Sequence, residues 1–99
     1  MSCYFVAHID VRNAEEYRRY LDGADAVFSR YGGRYLAVDT SPEVLEGAPP
    51  AGRTVLIEFP SREELLRWYH SEDYQHLLRH RLAAADCHSL LVEGLPDRG

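Results

Sequence analysis

Arg81 combines a permanent charge with apolar surroundings, which makes it the strongest candidate for chemistry in this sequence. At helical spacing it lies beside Leu78 and Ala85, on an otherwise apolar face. A buried guanidinium without a partner is very costly, so another group must compensate its charge. One interpretation is a structural pair with a carboxylate or with backbone carbonyls, and the other is that Arg81 binds the carboxylate or enolate of a substrate. The carboxylates considered for a structural pair are Glu58, Asp10 and Glu46.

The predicted helices also have aromatic residues at helical spacing. The first helix contains Tyr17 and Tyr20, and the second helical region contains Trp68, Tyr69 and Tyr74. Such stripes are usually plain core. Most of these residues are tyrosines, however, and each buried hydroxyl needs a hydrogen-bond partner. The stripe is therefore either core or the wall of a pocket for a phenol- or polyketide-sized molecule. The predicted ligand-binding residues are Tyr17, Tyr20, Trp68, Tyr69 and Arg81.

His8 and Glu58 are the candidates for proton transfer. His8 precedes Asp10 by two residues in a predicted strand, so both side chains lie on the same face. A histidine oriented by an aspartate is a credible general base near neutral pH. The alternative is that this face lies in a dimer interface, which the pair stabilises. Because this short amphipathic strand has two covered faces, the sequence leaves open which of them faces the helices.

Metal binding and nucleophilic catalysis have weaker support. His76 and His80 have the spacing that places two imidazoles on one metal, but no third ligand is adjacent, so we predict a solvated face and no metal site. No nucleophile elbow is present. Cys3 and Cys87 are predicted to be free thiols in a reduced cytoplasm, with a disulfide in an exported protein as the alternative.

Length and charge exclude several classes of protein. A chain of 99 residues is expected to form a single domain over residues 1–99. Its net charge of −5 argues against nucleic acid or an anionic membrane as a partner, because both require a basic face. There is no signal-like segment and no apolar run of roughly 20 residues, so we expect a cytoplasmic protein.

The elements that must position these residues follow the order βαββαβ. Alternation predicts strands over 3–11, 34–39, 54–59 and 88–95, with a short edge strand over 44–47. A first helix begins after Asn13 and ends at Gly32 and Gly33, and a second begins at Ser61 and restarts at Ser71. The apolar face of this last segment is predicted to include Leu82.

This order predicts a ferredoxin-like α+β fold, with a four-stranded antiparallel sheet and both helices on one face. The other face of the sheet would then expose a large apolar patch, so we predict that a second copy covers it and that the protein is a homodimer. The residues predicted on this patch are Tyr4, Val6, Leu56, Leu90 and Val92.

The pattern resembles a known family along nearly the whole chain. The residues that carry the resemblance are Tyr4, Ile9-Asp10-Val11, Tyr17, Tyr20, Tyr31-Gly32-Gly33-Arg34-Tyr35, Glu46-Gly47, Ile57-Glu58-Phe59-Pro60-Ser61, Trp68-Tyr69, Ser71, Tyr74, Arg81 and Val92-Glu93-Gly94. They are similar to the domain of unknown function 1330, within the dimeric α/β-barrel superfamily. The resemblance implies two sheets packed face to face, helices outside, and a small cavity between sheet and helices in each subunit.

The superfamily includes cofactor-free monooxygenases, polyketide cyclases, lactone isomerases and heme-degrading enzymes, so the fold alone is weak evidence for a function. The helix positions that face inward hold Tyr74, Leu77 and Arg81 rather than a histidine, so no heme ligand is in place and we predict no cofactor. Two hypotheses remain. One is a cofactor-independent cyclase, isomerase or monooxygenase for a small aromatic or enolisable acid, and the other is a non-catalytic dimer that binds a metabolite or has a structural role.

Overall fold

The computed structural model describes residues 2–48 and 51–96, and over these residues its elements follow the predicted order. The second helical region consists of two segments, as predicted. In chain order the elements are β1 (Cys3–Val11), α1 (Ala14–Ser29), β2 (Arg34–Asp39), β3 (Arg53–Phe59), α2 (Arg62–Tyr69), α3 (Glu72–Ala84) and β4 (Ala85–Glu93).

The strands form one sheet in the order β2-β3-β1-β4, and every neighbouring pair is antiparallel. A bulge between Tyr35 and Ala37 interrupts the pairing of β2 with β3. The buried side chains of β1 and β3 pack on the helices, and α1 packs along α3. This is the predicted ferredoxin-like α+β arrangement.

The alternation in β1 assigns the two faces of the sheet. Phe5, Ala7 and Ile9 are buried beneath the helices, whereas Val6 and His8 are half-buried on the opposite side. We call that opposite side the open face, because no helix of the described residues covers it. The predicted patch lies there. It consists of Tyr4, Val6, Leu56, Leu90 and Val92, which are paired with one another across β3, β1 and β4.

The predicted helix starts are confirmed by side-chain caps. Asn13 Oδ1 accepts a hydrogen bond from the Glu16 amide at 3.1 Å, and Ser61 Oγ accepts one from the Glu64 amide at 3.2 Å. Ser71 Oγ caps α3 in the same way. These bonds satisfy amides that have no partner inside a helix, so each cap defines where its helix begins.

Three local predictions are wrong. Residues 44–47 do not form a strand, and Leu45 is 86% exposed in an irregular loop. β4 occupies Ala85–Glu93 rather than 88–95, because the Ala84 carbonyl accepts hydrogen bonds from the Arg12 and Asn13 amides and so ends α3 beside β1. Leu82 is 59% exposed and lies off the buried face of α3.

The two cysteines are free thiols on the helix side of the sheet. Cys3 pairs with Glu93 and Cys87 pairs with Ile9, so six strand positions, or roughly 20 Å, separate them along the ladder. A disulfide within one chain is therefore ruled out by distance. None of the described helices is long and apolar enough to cross a membrane.

Candidate functional site

Arg81 lies in the last turn of α3 and is buried, with 1% of its surface exposed. Among residues 2–48 and 51–96, its Nε and Nη1 atoms have no hydrogen-bond partner. The carboxylates considered as structural partners are engaged or remote. Glu58 bonds to Arg34, Asp10 pairs with Arg12, and Glu46 lies in an exposed loop. The structure therefore shows none of these carboxylate pairs.

Two aromatic rings lie near the guanidinium instead. The Arg81 Cζ atom lies 5.7 Å from the centroid of the Phe5 ring and 5.5 Å from that of Tyr20. A cation over an aromatic face is attracted by the quadrupole of the ring, but the ring does not satisfy N–H donors that point past it. Arg81 is thus a desolvated charge with unused hydrogen-bonding capacity.

Tyr20 and Tyr74 form a buried hydroxyl pair at this site. Their oxygens are 2.8 Å apart, and they join α1 to α3. Burial raises the pKa of Tyr74 to about 12 and places the pKa of Tyr20 well above its ordinary value. Both hydroxyls are therefore protonated at neutral pH, and within the pair one donates a hydrogen bond to the other.

Trp68 and Tyr69, at the end of α2, complete what we call the aromatic layer. The Trp68 ring lies 5.0 Å from that of Phe5 and 4.1 Å from that of Tyr74. Its Nε1 atom is buried and, like the two Arg81 nitrogens, has no partner among the described residues. The aromatic layer consists of Phe5, Tyr20, Trp68, Tyr69 and Tyr74.

A cavity of about 200 Å³ opens between α2 and β4 on the helix side. Phe5 and Tyr69 belong both to its wall and to the aromatic layer. Arg81 is not part of the wall, but the Phe5 ring lies against its guanidinium. The other residues of the wall are Leu65, Leu66, His70, Ser89, Leu90 and Leu91.

The two proton-transfer candidates lie on the open face, with the sheet between them and Arg81. His8 Nδ1 lies 3.2 Å from Thr54 Oγ1, and Asp10 pairs with Arg12 rather than with His8. Both Nε and Nη2 of Arg34 donate to Glu58 Oε1, at 2.9 and 2.7 Å, and this contact lowers the pKa of Glu58.

His8 also lines a second cavity, of about 550 Å³, beneath the loop that follows β2. The structure therefore brings neither His8 nor Glu58 together with Arg81, and their catalytic roles stay predictions.

Tyr17 lies at the margin of the site. Its ring stacks on Tyr20 with 5.8 Å between centroids, and the Arg53 Cζ atom lies 5.0 Å from the centroid of the Tyr17 ring. Burial raises the pKa of the Tyr17 hydroxyl, and Arg53 opposes that shift. Four predicted ligand-binding residues thus lie in or beside the aromatic layer, and Tyr17 extends it towards β3.

Sequence reasoning missed Phe5 and Cys87 as neighbours of Arg81. The alternation in β1 predicts only that Phe5 is a core residue. The tertiary structure places its ring beside the Arg81 guanidinium. Cys87 is half-buried on β4, and burial raises the pKa of its thiol while the positive charge of Arg81 opposes that rise. No spacing in the sequence indicates either contact.

The histidine pair on α3 is engaged by other residues. His80 Nδ1 lies 2.7 Å from Glu16 Oε1, and His76 Nδ1 lies 2.8 Å from Arg79 Nη2. Within the described residues, no group of three or more metal-binding side chains comes together.

The sheet order and the one-sided helices define the class of this protein as ferredoxin-like α+β. The model of the domain of unknown function DUF1330 matches residues 2–95, so the chain belongs to that family. No curated protein matches the sequence significantly.

Solved structures share the fold at low identity. The RPA0582 protein of unknown function from Rhodopseudomonas palustris is 20% identical, with a TM-score of 0.81 over 97% of this chain and 84% of its own. SnoaB, a cofactor-independent oxygenase from Streptomyces nogalater, is 14% identical, with a TM-score of 0.67 over 98% and 96%. A dimeric ferredoxin-like protein of unknown function from Jannaschia sp. is 9% identical, with a TM-score of 0.71 over 95% and 100%. At these identities the likeness shows the fold alone.

Proposed function

We propose that this protein binds a small aromatic or enolisable acid as its anion, with Arg81 as the residue that holds the negative charge. The observation that carries the proposal is the burial of the Arg81 guanidinium with two nitrogens unpartnered and no carboxylate in an ion pair with it among the described residues. Each buried donor without a partner costs about 1–3 kcal/mol, and more when it belongs to a charged group. A bound carboxylate or enolate would remove that cost.

The aromatic layer and the cavity favour a ligand with one ring. A cavity of about 200 Å³ is below the usual range for a drug-sized ligand, which begins at about 300 Å³. An apolar cavity of about 150 Å³ is known to hold benzene. The size therefore favours a phenol-sized molecule over a polycyclic polyketide.

The test is ligand-induced thermal stabilisation with benzoate, phenylpyruvate and cyclohexanecarboxylate. A ligand at 100 times its Kd adds about 2.7 kcal/mol to the free energy of unfolding, which is readily measured. We expect an aromatic acid to stabilise the wild type, and the effect to vanish in Arg81→Met. Arg30→Met is the matched control, because Arg30 forms an exposed pair with Asp73. Equal stabilisation of all three proteins would contradict the proposal.

A catalytic role is the second candidate, and the oxygenase activity named for SnoaB makes it worth testing. Arg81 and the hydroxyl pair of Tyr20 and Tyr74 would stabilise the negative charge of an enolate or phenolate. His8 and Glu58 are separated from Arg81 by the sheet, so neither supplies a base in this arrangement. Binding without turnover is therefore the primary proposal. Incubation of a bound acid with the protein and analysis of products by mass spectrometry would distinguish the two.

The open face supports a homodimer as the second part of the proposal. Leu90 and Val92 are 60% and 42% exposed there, beside the half-buried Tyr4, Val6 and Leu56. A monomer would leave this contiguous apolar surface in water. The Jannaschia relative, which shares the fold, is described as dimeric. Two open faces packed together would bury the patch in both copies.

A matched pair of leucines tests the dimer. Leu90 on the open face is 60% exposed and Leu82 on α3 is 59% exposed. We expect Leu90→Lys to convert the dimer to a folded monomer in sedimentation experiments, because it buries a charge in the interface, and Leu82→Lys to leave the mass unchanged. A wild-type protein that sediments as a monomer at micromolar concentration would refute this part.

The free thiols are consistent with a reducing compartment such as the cytoplasm, which we propose as the location. Fractionation of cells that express the protein from its own gene would test this.

A further inference from the structure

Two rings of the aromatic layer, those of Phe5 and Tyr69, also line the cavity of about 200 Å³. Phe5 lines the cavity and lies 5.7 Å from the Arg81 Cζ atom, measured to its ring centroid. Tyr69 lines the same cavity, and its ring is 6.2 Å from that of Phe5 and 5.7 Å from that of Tyr74. Arg81 itself is not part of the cavity wall. A ligand that enters the cavity therefore meets aromatic rings before it reaches the guanidinium.

The two rings differ in their freedom to move. Phe5 is buried in the central part of the sheet, with Trp68 packed edge-on against it. Tyr69 is half-buried and is the last residue of α2. The helix ends there, and His70 and Ser71 connect it to α3. A side chain that is partly in solvent changes rotamer more readily than one that is fully buried. A displacement of Phe5 would require repacking of the layer.

We propose that Tyr69 is the gate and the size-determining residue of this site. Rotation of its ring joins the cavity to the Arg81 guanidinium and forms one elongated pocket. This inference rests on the proposed binding function and adds the route and the ligand shape. The half-buried Cys87 lies on β4 two residues from Ser89 on the same face, so the joined pocket runs beneath this part of β4.

The chemistry of the joined pocket changes along its length. Its inner end has the Nε and Nη1 donors of Arg81, and its middle is apolar, with Leu65 and Leu91 in the wall. Its mouth has the polar side chains of His70 and Ser89. The geometry fits a single aromatic ring with a carboxylate at one end and a hydroxyl at the opposite end. Such a ligand satisfies donors at the inner end and gains a hydrogen bond at the mouth.

The experiment compares three acids by thermal stabilisation: benzoate, para-hydroxybenzoate and naphthoate. For the wild type we expect para-hydroxybenzoate to bind about 2- to 10-fold more tightly than benzoate, which corresponds to one neutral hydrogen bond, and naphthoate not to bind. Tyr69→Ala should admit naphthoate, and Tyr69→Phe should behave as the wild type because the ring closes the gate. Tyr31→Ala is the matched control, since Tyr31 is also half-buried but lies under Arg67.

The outcomes distinguish a failure of the gate alone from a failure of the binding proposal. If the wild type binds naphthoate as well as benzoate, or if Tyr69→Ala leaves the selectivity unchanged while Arg81→Met abolishes binding, the gate is refuted and the binding function stands. If no acid stabilises the wild type or Tyr69→Ala, both are refuted.

A second measurement covers the case in which Tyr69→Ala does not fold. Cys87 is half-buried beside the pocket, whereas Cys3 is buried elsewhere. In the wild type, para-hydroxybenzoate should slow the reaction of Cys87 with an aromatic disulfide reagent. An unchanged labelling rate at a ligand concentration that stabilises the protein would overturn the proposed pocket.

Discussion

The two sides of the sheet differ in whether their charged residues form ion pairs. On the open face, Glu58 accepts two hydrogen bonds from Arg34, and Arg12 lies 3.2 Å from Asp10 and 2.8 Å from Asp86. On the helix side, Arg81 is more deeply buried than any of these residues and forms none of the ion pairs of the described residues. Exposed charges need their partners least, since water solvates them. Among the described residues, the one that most needs a counter-ion lacks one, as the proposed binding of an anion requires.

The largest effect that tests this contrast comes from Phe5 and Val6, which are neighbours on opposite faces. Phe5→Ala should lower the free energy of unfolding by about 3–5 kcal/mol, because it leaves a cavity in the aromatic layer. In the monomer, Val6→Ala should cost about 1 kcal/mol, since its side chain is only half-buried there. Urea denaturation measures both. Equal losses would mean that the two faces contribute equally to the core.

A smaller effect is expected from the hydroxyl pair. Tyr74→Phe should cost about 1–3 kcal/mol, because it leaves the Tyr20 hydroxyl buried without its partner. The double variant Tyr20→Phe/Tyr74→Phe removes both polar groups and should be more stable than the sum of the single variants predicts. A double-mutant cycle by denaturation gives the coupling. Strict additivity would show that the two hydroxyls do not stabilise each other.

Arg81→Met should change stability least among the helix-side variants, and in the favourable direction. An apolar side chain of similar length removes a desolvated charge, so we expect the free energy of unfolding to stay unchanged or to rise by about 1–2 kcal/mol. Arg34→Met, on the open face, is the control and should stay within about 0.5 kcal/mol of the wild type. A loss of about 3 kcal/mol or more in Arg81→Met would identify Arg81 as a structural ion.

The smallest effect is the acid sensitivity of the open face. The hydrogen bond from Arg34 lowers the pKa of Glu58 in the folded protein below the value of 4.5 that an unperturbed carboxyl has. The ionised Glu58 therefore stabilises the folded protein above pH 4.5, and this contribution is lost as the pH falls through the lower pKa that Glu58 has in the folded state. Thermal unfolding of the wild type and Glu58→Gln across the acid range checks this. The difference in Tm between them should shrink as the pH falls, and a constant difference would exclude the linkage.

The strands and helix starts that carry clear local signals were predictable from the sequence. β1 spans Cys3–Val11 as predicted, because strict alternation marks its length, and Ser61 and Ser71 cap their helices. The boundary between α3 and β4 was not predictable. The run from Ala83 to Ala85 contains no glycine or proline, and hydrogen bonds from the Arg12 and Asn13 amides to the Ala84 carbonyl decide it.

The residues of the candidate site also differ in how well the sequence predicted their positions. Helical spacing predicted that Arg81, Tyr20 and Trp68 lie on inward-facing sides of their helices. The structure places them in or beside one buried layer. His8 and Glu58 were grouped with them by chemical type, but strand alternation places both on the open face. When both faces of a strand are at least partly covered, its sequence alone does not determine which face contacts the helices.

The sequence by itself determined the order of elements, the caps that begin the helices and the placement of a charge on an apolar helical face, because each of these depends on neighbours within a few residues. Only the tertiary structure decided that Phe5 lies against Arg81, that no carboxylate pairs with Arg81 among the described residues, and that Tyr69 lines the adjacent cavity. These contacts join segments that are distant in the chain, and they follow from how the helices pack on the sheet rather than from any local pattern.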